Sequence, residues 1–317
     1  MNPADHISPK PGVVRYLVDP ELAGQRLDQG LAALTGISRR RVRTLVADGR
    51  LWLNGRATRV LSRQIHLADV LDVVPEDAAL APPPAALPAL PILYEDGWLV
   101  AVDKAVGLTT QPPRRRAPGE LTAHERVLLQ LAAREGKRVE VLLFHRLDRL
   151  TTGVLVFPRQ RDAARALAKI WSSGAAQKQY LALVHGGPGK GPRKISGAIA
   201  SDPLVPGRFR VARDGKPATT EVRLLTRLAE FSLVEVRPLT GRTHQVRVHL
   251  AEAGFPVAGD TLYGGAGGVP RPFLHAWRLT FPHPRTGRQL CLEAPVPADM
   301  QGFLAGLGVA TDAVLPR

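Results

Sequence analysis

Thiol is nearly missing from this 317-residue chain: Cys291 stands alone, so no internal disulfide can staple the fold. Clusters of Cys and His at ligand spacing are missing too, which argues against a structural zinc site. Both absences suit a reducing compartment, and a cytoplasmic protein is expected. No apolar run nears the roughly 18 residues of a membrane span, and the opening MNPADHISPKPG lacks the charged-then-apolar order of a signal peptide. No membrane partner is expected. Acidic residues are scarce as well. The 28 Asp and Glu face 43 Lys and Arg, leaving a formal charge of +15 that points to a polyanion, nucleic acid first. Charge alone leaves non-specific binding open, because a codon bias toward Arg gives the same surface.

The length exceeds the usual size of one domain, so two are expected. Residues 1–14 are polar and broken by Pro and Gly, and read as a mobile arm. From 15 to 74 the pattern is that of a small α/β unit. Leu27, Leu31 and Leu34 recur at helical spacing up to Gly36. Ser38 is a natural N-cap for a second helix, with Val42, Leu45 and Val46 as its buried stripe and Gly49 as its stop. Arg39, Arg40 and Arg43 lie off that stripe. LWLNGR then alternates around an Asn-Gly turn, predicting a hairpin. Residues 75–91 are too rich in Pro and Ala for sheet or helix and read as a stiff linker.

From 92 to 300, short β-branched runs (VLLFHRL, GVLVFP, QYLALVHG, FSLVEVRPL) alternate with a few helical stretches, one over about Asp162 to Ser172. There is no regular βαβ rhythm. The fold class expected is α+β, with a mainly antiparallel mixed sheet, followed by a tail over 301–317. Three features suggest other chemistry. GPGKGPRK is not a phosphate loop, because Gly191 and Pro192 follow Lys190 where Ser or Thr is required, and it reads as a basic hairpin tip. PPRRRAP, at 112–118, reads as a solvent loop. His145, His244 and His249 have no i, i+4 pair suited to a metal and read as structural.

Two stretches bear the functional signal. Arg39, Arg40 and Arg43 share one edge of a capped helix, fit for contacts to phosphates. The run GQRLDQGLAALTGISRRRVRTLVADGRLWLNGR closely resembles the S-four RNA-binding domain, named for the small-subunit ribosomal protein. The second stretch is HRLDRLTTG. There Asp148 ends a β-like run, a position that suits a turn-former bonding its own backbone as well as a catalytic carboxylate. HRLDRLTTG closely resembles the catalytic motif of pseudouridine synthases of the RluA type. The similarity continues in order through LVAVDKAVGL, KQYLALV, DGKPATTEVRLL, GRTHQVRVHL, GFPVAGDTLYGG and LHAWRLTFPHPRTGRQLCLEAPVP.

This resemblance implies a cofactor-free and metal-free isomerase of uridine in structured RNA. Asp148 matches the nucleophile, which detaches uracil from ribose so that it can turn and rejoin through carbon five. Arg242 matches the arginine paired with that aspartate, favouring its ionised form. Tyr180 matches the tyrosine beside the base. Arg146, two residues before Asp148, matches the arginine that fills the gap left by a flipped nucleotide. Large-subunit ribosomal RNA is the substrate expected, acted on by a monomer. Transfer RNA is the alternative substrate, and a non-catalytic RNA-binding ribosome-assembly factor the alternative role, which loss of Asp148, Tyr180 or Arg242 would have favoured. The first motif departs from the family's Asn-Lys-Pro-x-Gly at Asp103 and Ala105, and Gln111 stands where His is common, so the subfamily stays open.

Overall fold

The computed structural model describes residues 12–75, 80, 88–113, 117, 120–265 and 267–315. Most of the expected arm and linker, the arginines of PPRRRAP and the last two residues of the tail lie outside the described residues. Chain contacts define two units, Met1–Leu90 with Thr109–Leu143, and Pro91–Leu108 with Phe144–Arg317. Residues 109–143, expected in the larger domain, thus pack with the first unit.

The first unit has strands β1 (Val14–Leu17), β2 (Leu51–Leu53), β3 (Arg56–Ala57) and β4 (Val70–Val73), and helices α1 (Leu27–Thr35), α2 (Arg39–Ala47) and α3 (Ala123–Glu135). Its antiparallel sheet has the order β1-β4-β2-β3. The apolar stripes of α1 and α2 bury against Tyr16, Leu51, Leu53, Leu71 and Val73. Gly36 ends α1 at φ 71°, where its N–H bonds the Ala32 carbonyl, and Ser38 Oγ caps α2 by accepting the Arg41 N–H. Asn54 and Gly55 turn the hairpin at φ 52° and 76°. Helix α3 carries Gln130, whose side chain bonds both backbone groups of Leu90, and just beyond its end the Arg138 N–H donates to Asn54 Oδ1 at 3.0 Å.

The second unit contains β5 (Ile92–Glu95), β6 (Leu99–Lys104), β7 (Thr152–Pro158), β8 (Gln177–His185), β9 (Arg193–Ser196), β10 (Ile199–Ser201), β11 (Phe209–Val211), β12 (Thr219–Leu228), β13 (Phe231–Pro238), β14 (Leu274–Pro282) and β15 (Gln289–Glu293). Its helices are α4 (Arg161–Ser172), α5 (Gln245–Glu252), α6 (Ala298–Gly306) and α7 (Thr311–Val314). Among the described residues, nine strands form one sheet, ordered β5-β6-β7-β14-β8-β13-β12-β9 with β15 beside β14. Of these strands only β7 and β14 pair in parallel.

Three expectations change. VLLFHRL is irregular, not a strand, so the chain reaches Asp148 without a ladder to either side. Arg146 and Asp148 therefore share no strand face. GPGKGPRK joins β8 to β9, which are separated in the sheet by β13 and β12, so it is no hairpin tip. The expected tail contains most of α6, whose Met300 and Leu304 are fully buried against Phe273 and Trp277.

Every residue of β7 is buried, as a central strand covered on both faces must be. At its start Gly153 adopts φ 114°, and a Cβ there would lie 2.2 Å from the Ala276 carbonyl of β14. The close parallel approach that begins β7 just after Asp148 depends on that missing side chain. Gly153→Ala should therefore lower stability by about 3 kcal/mol, adding backbone strain to a clash with main chain. A denaturant midpoint equal to wild type would show that β7 and β14 separate at little cost.

Candidate active site

Asp148 opens a turn closed by the Thr151 N–H on its carbonyl at 3.1 Å. The turn is suspended from both neighbouring strands. On one side Lys104, at the end of β6 and fully buried, donates from Nζ to the carbonyls of Leu108 (2.9 Å), Ala105 (3.0 Å) and Arg149 (3.2 Å). Burial pulls the Lys104 ammonium down to about 7, against the opposing charge of Asp148. Asp103 beside it is raised by burial, offset by Lys104 and a bond from the Gly153 N–H. On the other side Arg271 donates to the Leu150 carbonyl at 3.3 Å while it pairs with Asp299. Thr152 Oγ1 bonds His275 Nδ1 at 2.9 Å, and His275 Nε2 donates to the Ala294 carbonyl at 3.2 Å.

The carboxylate of Asp148 points toward the first turn of α5. Arg247 Nη1 donates to its Oδ2 at 3.4 Å, and His244 Nε2 lies 3.8 Å from the same oxygen. Arg247 is itself clamped by Asp260, with Nε on Oδ2 at 2.7 Å and Nη2 on Oδ1 at 2.8 Å, and it lies over the Tyr263 ring at 5.0 Å. Strand β8 sends Lys178 and Tyr180 to one face, as its period of two requires. Both line an open pocket of about 380 Å³ with Asp148, Phe144 and Trp171. Burial, and after it the charge of Asp148, keeps the Tyr180 hydroxyl protonated well above the ordinary phenol range. Lys178 donates to the Thr240 carbonyl at 3.2 Å, and burial lowers its pKa. A pocket that joins a carboxylate, a fixed arginine, a protonated phenol and aromatic walls can take a planar polar ring and attack it from one side. Among the described residues no group of three or more His, Cys, Asp or Glu could hold a metal, and no helix is long and apolar enough to cross a membrane.

Residues 98–252 match the sequence model of the RNA pseudouridylate synthase family. An uncharacterized RNA pseudouridine synthase of Chloroflexus aurantiacus is 36% identical over 308 residues, covering 92% of each chain. The chain belongs to the RNA pseudouridine synthase family. Its enzyme class is accordingly isomerase. The ribosomal large subunit pseudouridine synthase D of Nitrosomonas europaea is 32% identical over 323 residues, covering 93% of this chain and 88% of that one. In fold, the human RNA pseudouridylate synthase domain containing 4 superposes with a TM-score of 0.55 at 24% identity, covering 69% of this chain and 93% of that one. The family's α+β fold, with mixed sheet and few helices, is the one described above.

Of the residues expected from the synthase motifs, Arg146, Asp148, Tyr180 and Arg242 all line the same pocket. The ion pair is not the one expected. Arg242 is exposed and its Nε donates to the Pro217 carbonyl at 3.1 Å, whereas Arg247 reaches Asp148. The reason is local: Arg242 stands in the bend before α5, its N–H tied to the Gln245 side chain, while Arg247 is carried inward by the helix. His244, read as structural, also faces the site. The i, i+3 spacing of His244 and Arg247 was the available signal, since helical neighbours three apart share a face. Arg146 is exposed at the pocket rim. Arg40 and Arg43 are exposed on α2, but Arg39 pairs with buried Asp28 at 2.5 Å and its hydrogen bond holds that carboxyl down to about 2. Gln111 is exposed.

His145 and His249 are structural. His145 Nε2 accepts the Val156 N–H at 2.9 Å, and His249 bonds Thr220 and the Gly197 carbonyl. Burial holds both His145 and His275 down to about 4, from an ordinary 6.5. Below pH 6.5 the unfolded chain takes up protons that these native imidazoles refuse until about pH 4, so their contribution is full above 6.5 and is lost as the pH falls. The denaturant midpoint should therefore drop steadily between about pH 6.5 and 5, before carboxylates titrate. A midpoint constant over that range would contradict the burial of both rings.

Proposed function

We propose that the chain converts uridine to pseudouridine in structured RNA, with Asp148 as nucleophile and large-subunit ribosomal RNA as substrate. The observation that supports this best is the carboxylate of Asp148, held on one oxygen by a clamped Arg247 and sharing a pocket with Tyr180. In the reaction the bond between uracil nitrogen one and the anomeric carbon breaks, and a bond from carbon five to that carbon forms. The proton leaves carbon five and nitrogen one gains one, so atoms balance without a second substrate. Asp148 holds the fragments during the turn of the ring, and Arg247 orients the attacking group through its Oδ2. Tyr180, a phenol at neutral pH, stacks on uracil and is placed to mediate the proton transfer. A base in a folded RNA must leave its stack to enter such a pocket, and Arg146 at the rim is suited to occupy the gap.

Ribosomal RNA is favoured by relatives that span nearly the whole chain and bear the name ribosomal large subunit pseudouridine synthase D, in Nitrosomonas europaea and Neisseria meningitidis. The first unit reads as the S-four-like anchor, with Arg40 and Arg43 toward phosphates. Arg39 is assigned to the fold, through Asp28.

Asp148→Asn should abolish pseudouridine formation and leave RNA affinity almost unchanged, because the carboxylate is not an anchor. Turnover at the wild-type rate would remove Asp148 from the mechanism. Arg40→Ala with Arg43→Ala should weaken RNA binding and flatten its dependence on salt, by about one in the log-log slope for each phosphate no longer neutralised. A slope identical to wild type would move the phosphate-binding cations elsewhere. Arg39 stays unaltered in this test, since changing it would disturb folding.

A further inference from the structure

His244 occupies the N-cap of α5 at φ 56°, a left-handed conformation that His adopts more readily than most residues. Its two ring nitrogens face different partners. Nε2 lies 3.8 Å from Asp148 Oδ2, and Nδ1 lies 2.9 Å from the hydroxyl of Tyr263. That hydroxyl, on a residue 7% exposed, also accepts the Phe209 N–H at 2.9 Å. A phenol has one proton to give, and an amide N–H can only donate to it. Among the described residues, the acceptor left for the Tyr263 proton is His244 Nδ1. If Nδ1 carried the hydrogen instead, the buried hydroxyl would receive two bonds and have nowhere to donate. The Tyr263 bond therefore puts the hydrogen of the neutral imidazole on Nε2, the nitrogen that faces the carboxylate.

Burial favours the neutral ring. Burial is the largest influence and lowers its pKa, Asp148 and Asp260 oppose that, and Arg247 and Arg146 add to it. Burial likewise holds Tyr263 as a phenol. Two donors, Arg247 Nη1 and His244 Nε2, thus converge on one oxygen of Asp148. Its other oxygen, Oδ1, takes no hydrogen bond among the described residues.

We propose that His244 is a positioning residue which, donating from Nε2, joins Arg247 in holding Oδ2 of Asp148 and so leaves Oδ1 as the attacking oxygen, with Tyr263 fixing the tautomer. This rests on the reading of Asp148 as nucleophile. The 3.8 Å separation closes to a hydrogen bond as the substrate enters, as catalytic contacts commonly tighten on binding.

Nitrogen-15 NMR of His244 in the intact protein tests the tautomer directly. The hydrogen is expected on Nε2, and a hydrogen on Nδ1 overturns the proposal. Kinetics test the role. His244→Ala should lower kcat roughly ten- to a hundredfold, the worth of a hydrogen bond to a charged group, with KM little changed. His244→Gln should recover part of that loss, since its amide can donate from nearly the same place. Both variants carry the same strain at φ 56°, so that strain cancels from their difference; equal rates overturn the proposal. Should either fail to fold, Tyr263→Phe, which keeps the ring, must lower kcat and mix the tautomers. An unshifted nitrogen spectrum and unchanged rate in that variant also overturn it. Full turnover by Asp148→Ala would instead remove the underlying reading, so the two failures are distinguishable.

Discussion

The site depends on the pairing of Arg247 with Asp260. Asp260 is 1% exposed and Arg247 11%, so both charges have largely left water, at a cost their mutual attraction rarely exceeds. Their value is orientation. With Nε and Nη2 both committed to Asp260, the guanidinium plane is fixed and Nη1 is left to face Asp148. The Tyr263 ring beneath the guanidinium closes off another direction of movement. A lysine could supply the charge but not the fork, and the carboxylate of Asp148 would lose the donor that sets its plane.

A clamped partner is useful only if Asp148 is held as firmly. The turn that carries it lies outside the ladder, where backbone groups would otherwise lack partners. Lys104 donates to the Arg149 carbonyl while its other two bonds tie the segment after β6, Arg271 holds Leu150, and His275 holds Thr152 from β14. These are buried, charged or polar groups committed to a loop of a few residues. Gly153 then lets β7 start at once beside β14, so that the carboxylate sits at the mouth of the parallel pairing. Rigid supports of this kind keep a reacting group near its productive geometry.

Much of the architecture was legible in sequence. The Leu27, Leu31, Leu34 stripe, the Ser38 cap and the Asn54-Gly55 turn are local signals, set by neighbours within four residues, and they appear where expected. VLLFHRL misled because its β-branched and aromatic residues pack into the core without pairing to a strand, and periodicity cannot separate those two fates. Arg39 misled for a similar reason: an arginine on a polar helix face looks free until the buried Asp28 of another helix is found beside it. Arg242 and Arg247 lie in one motif of ten residues, and the choice between them turned on the way the chain bends into α5.

By itself, then, the sequence determined the family, the α+β class, and the residue types gathered in the pocket, because motif order and short-range periodicity survive without coordinates. Tertiary structure alone decided which arginine meets Asp148, which imidazole nitrogen faces it, and which cations are already occupied. Those are contacts between separate elements, 99 residues apart from Asp148 to Arg247 and 11 from Asp28 to Arg39, and such hydrogen-bond geometry is a property of packed elements, with no trace in local pattern.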